Sequence, residues 1–340
     1  MKKNLRLVFG VAVSVVFLYL AVRGLDLKEV VHWLAEADYY WLFPAIAIYF
    51  VGVWGRTWRW HYMLRPIKVI PLIRLFPITC IGYMGNNVFP ARAGEVLRAY
   101  VLKRSEDVSM SSSLAMIVVE RVFDGLVMLL FVFIALPFAP VPSSLRALVI
   151  AASGLFLAAL LVFITLASKP GLAEKIYERT IRRFLSETMQ EKVDGFIYRF
   201  MEGLYFFRNG SDVIMVFVTS VFIWLAETFK YWFIMQAFVH MDAGFPVPFF
   251  VLMLMNGIVN LATTLPSAPG YIGTFDAPGV AVLEAYGVRG SVAFGYTIVL
   301  HAALWVPITL LGVYFFRRAR IGWNEVDTAR VQGAQSTSSG

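Results

Sequence analysis

Along much of this chain the alternation of polar and apolar positions that marks a half-buried element is missing, because almost every position is apolar. Residues 5–22 (LRLVFGVAVSVVFLYLAV), 41–58, 112–136, 146–168, 212–239 and 291–316 are such runs. As helices of roughly 20 residues or more, each can cross about 30 Å of hydrocarbon. A helix that is apolar all round belongs in a large core or in lipid. So many of them in one chain predict an all-α integral membrane protein. Periodicity returns only between 171 and 208. There Leu172, Ile176, Leu185, Met189, Phe196 and Phe200 recur at helical spacing among Lys, Arg, Glu and Asp. That spacing fits an amphipathic helix on the cytoplasmic membrane surface and equally a small helical lid on the bundle. Residues 1–326 read as a single polytopic domain, and the polar stretch 327–340 (DTARVQGAQSTSSG) reads as a disordered tail.

Composition agrees. Hydrophobic residues make up 59% of the chain and charged ones 15%, against about 25% charged in an ordinary globular domain. The net charge of +8 therefore reads as topology and attraction to anionic lipid, with no nucleic acid implied. The lone Cys80 excludes a disulfide framework and any Cys-rich metal site. The opening MKKNLR resembles the start of a signal peptide. Its apolar run, however, ends at Ala21-Val22-Arg23-Gly24 with no small-x-small cleavage site, which predicts a retained first helix.

Basic residues assign the sides. Residues 56–74 carry Arg56, Arg59, Arg65, Lys68 and Arg74, residues 169–210 carry eight Lys or Arg, and Arg317, Arg318 and Arg320 follow the last run. Residues 23–38, 137–145 and 240–248 are poor in them. An excess of Lys and Arg marks the cytoplasmic side, so both termini are expected inside the cell membrane. A full crossing at 72–90 would put Lys103, Arg104 and the basic 169–210 segment outside. Treating 72–104 as a re-entrant hairpin from the inside, and 248–287 as one from the outside, removes the conflict. The expectation is about six full spans plus two oppositely oriented broken hairpins, an inverted-repeat bundle.

The hairpin turns are the most informative segments. The first reads Gly82-Tyr-Met-Gly-Asn-Asn87-Val-Phe-Pro90-Ala-Arg92-Ala-Gly94-Glu95-Val-Leu-Arg98. The second runs from Asn256 and Asn260 through Thr264, Pro266 and Gly270-Tyr271 to Gly273 and Asp276. Pro and Gly stop a helix and free backbone N–H and C=O groups. At membrane depth such groups survive only inside protein or along a wet cavity. Paired interruptions in corresponding, oppositely oriented segments point to a transport site near the midplane.

These residues carry a resemblance. Asn87-x-x-Pro90-x-Arg92-x-Gly94-Glu95-x-x-Arg98, Glu120-Arg121-x-x-Asp124 and Pro266-x-x-Pro269-Gly270-Tyr271-x-Gly273 resemble the flippase-like family named for the transmembrane region of lysylphosphatidylglycerol synthase. The likeness extends to about residue 316. It implies movement of amino-acylated phospholipids, polyprenyl-linked sugars or hopanoid-type lipids between leaflets. Some members carry a cytosolic aminoacyl-transferase domain; this sequence has none, so synthesis of lysyl-lipid is not implied.

Ionisable residues within a span each call for a partner or a task, at about 2.5–3.5 kcal/mol per charge. Glu120 and Asp124 lie one turn apart with Arg121 between them. They form a self-neutralising Arg121–Asp124 pair, or they line a polar cavity facing Arg92 or Arg98. Glu227 and Lys230 have the spacing of a closed ion pair. Arg92, in the broken segment, is the candidate phosphate ligand because its planar fork matches a phosphate. Arg98 joins it or anchors the helix at the interface. His301 titrates or hydrogen-bonds a backbone carbonyl.

The expected function is translocation of an anionic or phosphate-bearing lipid. Arg92 and the hairpin helix ends would hold phosphate, Asn87, Asn260 and Thr264 would offer hydrogen bonds, and Glu95, Arg98, Pro266, Gly270, Tyr271 and Asp276 would complete the substrate-binding and translocation site. Glu120, Asp124 or Glu227 would carry a proton, or the membrane potential would act directly on the charged head group. No P-loop, GxSxG or HExxH motif is present, so no catalysis, metal or cofactor is expected. Two rivals remain. One is a membrane-embedded lipid-phosphate transferase or hydrolase recruiting Glu95 or Asp276. The other is a non-transporting scaffold for a lipid-modifying enzyme.

Overall fold

The computed structural model describes residues 2–89, 93–135, 209–241, 244–263 and 267–320, with scattered positions between 137 and 161. Over these the chain is helical: α1 (Lys2–Val22), α2 (Leu27–Glu36), α3 (Leu42–Leu64), α4 (Leu72–Val88), α5 (Ala93–Glu106), α6 (Met110–Ala135), α7 (Gly210–Gln236), α8 (Phe249–Ala262), α9 (Asp276–Ala285) and α10 (Gly290–Arg318). At about 1.5 Å per residue, α1, α3, α6, α7 and α10 reach the ~30 Å of a hydrocarbon core. Both α7 and α10 also contain an apolar stretch long enough to cross one. The pairs α4–α5 and α8–α9 are shorter helices separated by breaks, at the positions where Pro and Gly interrupt the apolar runs.

Two expectations change. Residues 23–38 contain a helix, α2, capped by Asp26, whose side chain accepts the Lys28 N–H at 2.8 Å. In addition, α3 does not stop at 58 but continues to Leu64, so that Arg56 and Arg59 belong to its interior face and not to a basic loop. The expected 146–168 crossing lies largely outside the described residues, and the 171–208 amphipathic region and the 327–340 tail lie wholly outside them.

Exposed and half-exposed ion pairs gather the connections into two groups. Arg65 meets Asp212 at 3.2 Å, and Lys68 and Arg74 both meet Glu106 at 3.3 Å. Arg104 donates to the Arg320 carbonyl at 3.4 Å. In the other group Arg289 pairs with Glu29 at 3.2 Å, and the Asp38 N–H donates to the Ala237 carbonyl at 3.0 Å. Each group lies beside its own apolar core. One core is built mainly from the last turns of α3 together with α4, α5 and α6. The other draws on α8, α9, the end of α7 and the first half of α10. The middle segments of α3, α6, α7 and α10 lie between them.

Helix α5 packs back on α4 with the backbones in contact. A Cβ placed on Gly94 would overlap the Gly82 carbonyl oxygen and the Asn86 backbone nitrogen. No side chain can be accommodated there without separating the two helices. Gly257 in α8 is different, because a Cβ added there would have no atom within 4 Å. Gly94→Ala is therefore expected to lower stability by about 1–3 kcal/mol through overpacking, whereas Gly257→Ala, which gains helix propensity, holds or raises it. Thermal unfolding of the two variants in detergent, side by side, measures the contrast.

Candidate functional site

The site begins with two arginines a turn apart on α3. Arg59 is completely buried. Its guanidinium donates to Asp124 at 2.6 Å, to Glu120 at 2.8 Å and to the Ser220 hydroxyl at 2.9 Å. One side chain thus ties α3 to α6 and α7. The Trp224 indole N–H donates to the same Asp124 oxygen at 2.9 Å. Glu120 places its second oxygen 2.6 Å from Arg98, whose guanidinium lies 4.1 Å from the centre of the Trp60 ring. Arg121 completes the set, 2.6 Å from Glu95 and 3.5 Å from Asp124. Three arginines and three carboxylates from α3, α5 and α6 neutralise one another, as buried charges must.

The second cluster does not balance. Glu227 on α7 is held by Lys230 one turn along and by Arg56 of α3 at 2.6 Å. Lys230 is sealed beneath the rings of Tyr49 and Tyr231, 5.0 and 5.3 Å from their centres. Two cations share one carboxylate, which leaves a local surplus of one positive charge. Arg56 Nη1 is buried and has no hydrogen-bond partner.

Between these clusters lies a cavity of about 150 Å³. Arg56, Arg121, Asp124 and Glu227 supply its charged wall. Both breaks contribute the opposite side: Asn86 and Asn87 end α4, Asn260 and Thr263 end α8, and Gly270 and Tyr271 form the turn that follows. Gly270 adopts φ +73° and Tyr271 φ +61°, a left-handed pair that only glycine takes without strain. A Cβ on Gly270 would lie 2.6 Å from Trp305 Nε1 and 3.5 Å from the Asn87 carbonyl oxygen, so the two interrupted segments meet here. Asn87 is fixed in turn by α10, donating to Thr309 Oγ1 at 2.8 Å. His301 of α10 reaches the Gly270 carbonyl oxygen at 2.7 Å and Asp276 at 2.8 Å. At about 30 Å³ per liquid water the space holds roughly five waters. It is large enough for part of a polar head group.

Of the residues singled out in the sequence, Asn87, Asn260, Gly270, Tyr271, Arg121, Asp124, Glu227 and His301 line this cavity. Glu95, Glu120, Lys230 and Asp276 stand behind it, each bonded to another member. Arg98 is neither a cavity ligand nor an interfacial anchor: it is buried against Glu120. The Arg121–Asp124 pair forms, but Arg121 is bound more closely by Glu95. The Glu227–Lys230 pair is not closed, because Arg56 shares it. Arg92, Thr264 and Pro266 lie outside the described residues. Arg56 and Arg59 were missed, and one signal could have found them. Three intramembrane carboxylates, Glu120, Asp124 and Glu227, need more cations than Arg121 and Lys230 provide, and the apolar run around 41–58 continues through both arginines.

These pairings rank the substitutions. Glu227→Gln leaves Arg56 and Lys230 buried together with no anion, whereas Lys230→Met leaves a neutral Arg56–Glu227 pair. The first is expected to destabilise by about 3–5 kcal/mol and the second by clearly less. Adding Lys230→Met to Glu227→Gln should recover part of the loss. Thermal unfolding of the three variants checks the order.

Residues 7–312 match the family described as the lysylphosphatidylglycerol synthase TM region. The chain is 27% identical to Glycosyltransferase AglD of Haloferax volcanii, over 91% of this chain and 54% of that protein. It is 22% identical to a UPF0104 membrane protein of Pyrococcus horikoshii, over 94% of this chain and 98% of that one. A UPF0104 membrane protein of Methanothermobacter thermautotrophicus is 23% identical over 89% and 92% respectively. The chain thus spans about half the length of the glycosyltransferase and nearly all of the two UPF0104 proteins. With the family match covering nearly every described helix, the chain is a membrane protein that belongs to the lysylphosphatidylglycerol synthase TM-region family.

Proposed function

We propose that this protein translocates an anionic or phosphate-bearing lipid between membrane leaflets, the head group crossing through the cavity while the tail stays in the bilayer. The observation that carries the reading is the unbalanced cluster. Arg56 lines the cavity in a patch that has one cation too many; its Nη1 is buried without a partner, as are Arg59 Nε and Arg98 Nε. An anionic head group would supply the missing charge. Both broken segments border the same space, as expected of a site that opens alternately to two sides. Amino-acylated phospholipids, polyprenyl-phosphate-linked sugars and hopanoid-type lipids are the substrate classes considered. The relative named a glycosyltransferase favours a lipid-linked sugar among them. That name also supports an enzymatic reading. Against it, Glu95 and Asp276, the carboxylates that a transferase would recruit, are both taken up by Arg121 and His301. A lipid-modifying enzyme as partner is compatible with either.

The proposed setting is the cell membrane with both termini cytoplasmic. The hairpin α4–α5 opens from the inside and α8–α9 from the outside, related as an inverted repeat. In support, the ion pairs that join 65–74, 103–107, 209–212 and 317–320 gather the basic connections at one end. In a Cys80→Ala background, an impermeant thiol reagent on intact cells is expected to label His240→Cys and spare Lys103→Cys. Labelling at position 103 would reverse the hairpin.

In proteoliposomes, a phospholipid or polyprenyl phosphate with a fluorescent head group should reach an outer-leaflet quencher faster than in protein-free vesicles. Arg56→Ala removes a charge-assisted hydrogen bond worth about 1.5–3 kcal/mol, so the rate should fall roughly 10- to 150-fold. Arg56→Lys, which keeps the charge without the fork, should recover only part. If anionic phospholipids and polyprenyl phosphates alike cross no faster than in empty vesicles, the translocation reading falls.

A further inference from the structure

His301 is placed between two acceptors. Its Nδ1 lies 2.8 Å from an oxygen of the Asp276 carboxyl, and its Nε2 lies 2.7 Å from the carbonyl oxygen of Gly270. A neutral imidazole has one N–H and one lone pair, so it can satisfy only one such partner. A carbonyl oxygen never donates, which requires a proton on Nε2. The Nδ1–Asp276 contact then needs a second proton, on the ring or on the carboxyl. Either way the pair holds one proton more than a carboxylate beside a neutral histidine. The second Asp276 oxygen accepts the Gly273 N–H at 2.8 Å, and the Phe275 ring covers the imidazole at 4.6 Å between centres. This contact ties both ends of the 270–276 segment to α10, while Gly273 packs against the backbone of α1 at Ser14 and Leu18.

We propose that His301 and Asp276 form a proton-binding latch, through which protonation holds the Gly270 turn against α10 and proton release frees it, making lipid movement proton-coupled. When one proton leaves for cavity water, a single ring proton remains. If it sits on Nδ1, the Nε2 lone pair faces the Gly270 carbonyl and that contact is lost. If it sits on Nε2, the Nδ1 lone pair faces a carboxylate and the α9 end is lost instead. The first outcome frees Gly270 where it meets Trp305 and the Asn87 carbonyl, the meeting point of the two interrupted segments, and the second frees the segment at its Asp276 end. His301 also lines the cavity, so the proton has a path to the same water that would receive a head group.

Other groups surround the latch. Across the cavity stand Arg56 and Tyr49 of α3, Arg121 and Asp124 of α6, and Glu227 and Tyr231 of α7. Tyr83 of α4 and Tyr271 of the turn complete the titratable set. On the α1 side the contact is Ser14, which accepts the Ala268 N–H at 2.8 Å. Arg121, Asp124 and Glu227 are each held in ion pairs of their own. Asp276 is the acid bonded to His301.

The coupling to lipid rests on the translocation reading, but the latch can be measured without transport. The full chain in nanodiscs would be followed by hydrogen–deuterium exchange of 267–275 from about pH 5 to about pH 8, corrected for intrinsic exchange. The wild type should lose protection as pH rises. Asp276→Asn should stay protected and pH-independent, because an amide can donate to Nδ1 of a neutral ring and still accept the Gly273 N–H. His301→Gln should lose the pH dependence too. Ring ¹⁵N resonances, with His301 assigned by its absence in His301→Gln, should show both nitrogens protonated at the acidic end. Flat protection in the wild type, or a pH response that survives in Asp276→Asn, would overturn the latch. In vesicles, an imposed pH gradient should change the lipid rate in the wild type and not in Asp276→Asn. A latch that titrates in a protein that moves no lipid would sustain this proposal and overturn the translocation reading.

Discussion

The arrangement depends on keeping Arg59 charged where no water reaches it. A guanidinium with this little exposure survives only if fixed acceptors replace its hydration, and here they come from two helices at once. Glu120 and Asp124 lie on one face of α6, and Ser220 lies on α7. These partners set the rotation of α6 about its own axis. That rotation then decides which of its residues look inward. Arg121 and Asp124 reach the cavity, while Glu120 is turned toward Arg98 and locks α5. The register of three helices follows from one side chain.

The neighbouring cluster has a different character because its charges do not cancel. A network whose charges cancel resists change, since moving any member strands another. A patch with a surplus cation is instead incomplete until an anion arrives. On the proposed function the first cluster is scaffold and the second receptor, only a helical turn apart along α3. Their proximity lets a bound head group act on an element that cannot deform much, so movement must come from elsewhere. The two interrupted segments are the softer parts. They touch through backbone at Gly270 and Asn87 and are braced by α10 and, at 268–273, by α1.

Much of this was legible in the residues. Apolar runs located α1, α6, α7 and α10 to within a few positions, and the Pro and Gly interruptions located both breaks. The hairpin residues were found because interrupted helices leave local marks. The arginines of α3 were misread for the opposite reason. A positive-inside reading assigns every Arg near the end of an apolar run to the interface, and nothing local distinguishes Arg59, which is buried, from Arg65, whose side chain is 44% exposed. Only its partners, 61 and 65 positions away, make the difference. Helix α2 escaped notice because it is short, and its 10 residues carry a single buried position, Val30.

The separation of those partners along the chain has a consequence for biogenesis. On the proposed topology α3 enters the bilayer early, with two guanidiniums exposed to a medium that charges each about 2.5–3.5 kcal/mol. Relief for Arg59 is 61 residues behind it in the chain, and for Arg56 it is 171 residues behind. The ribosome thus delivers the cations well before their anions. During that interval α3 cannot rest as an isolated span, and must stay sheltered beside the insertion machinery or lie shallow at the interface. Its final depth is settled only when α6, and later α7, arrive to receive it.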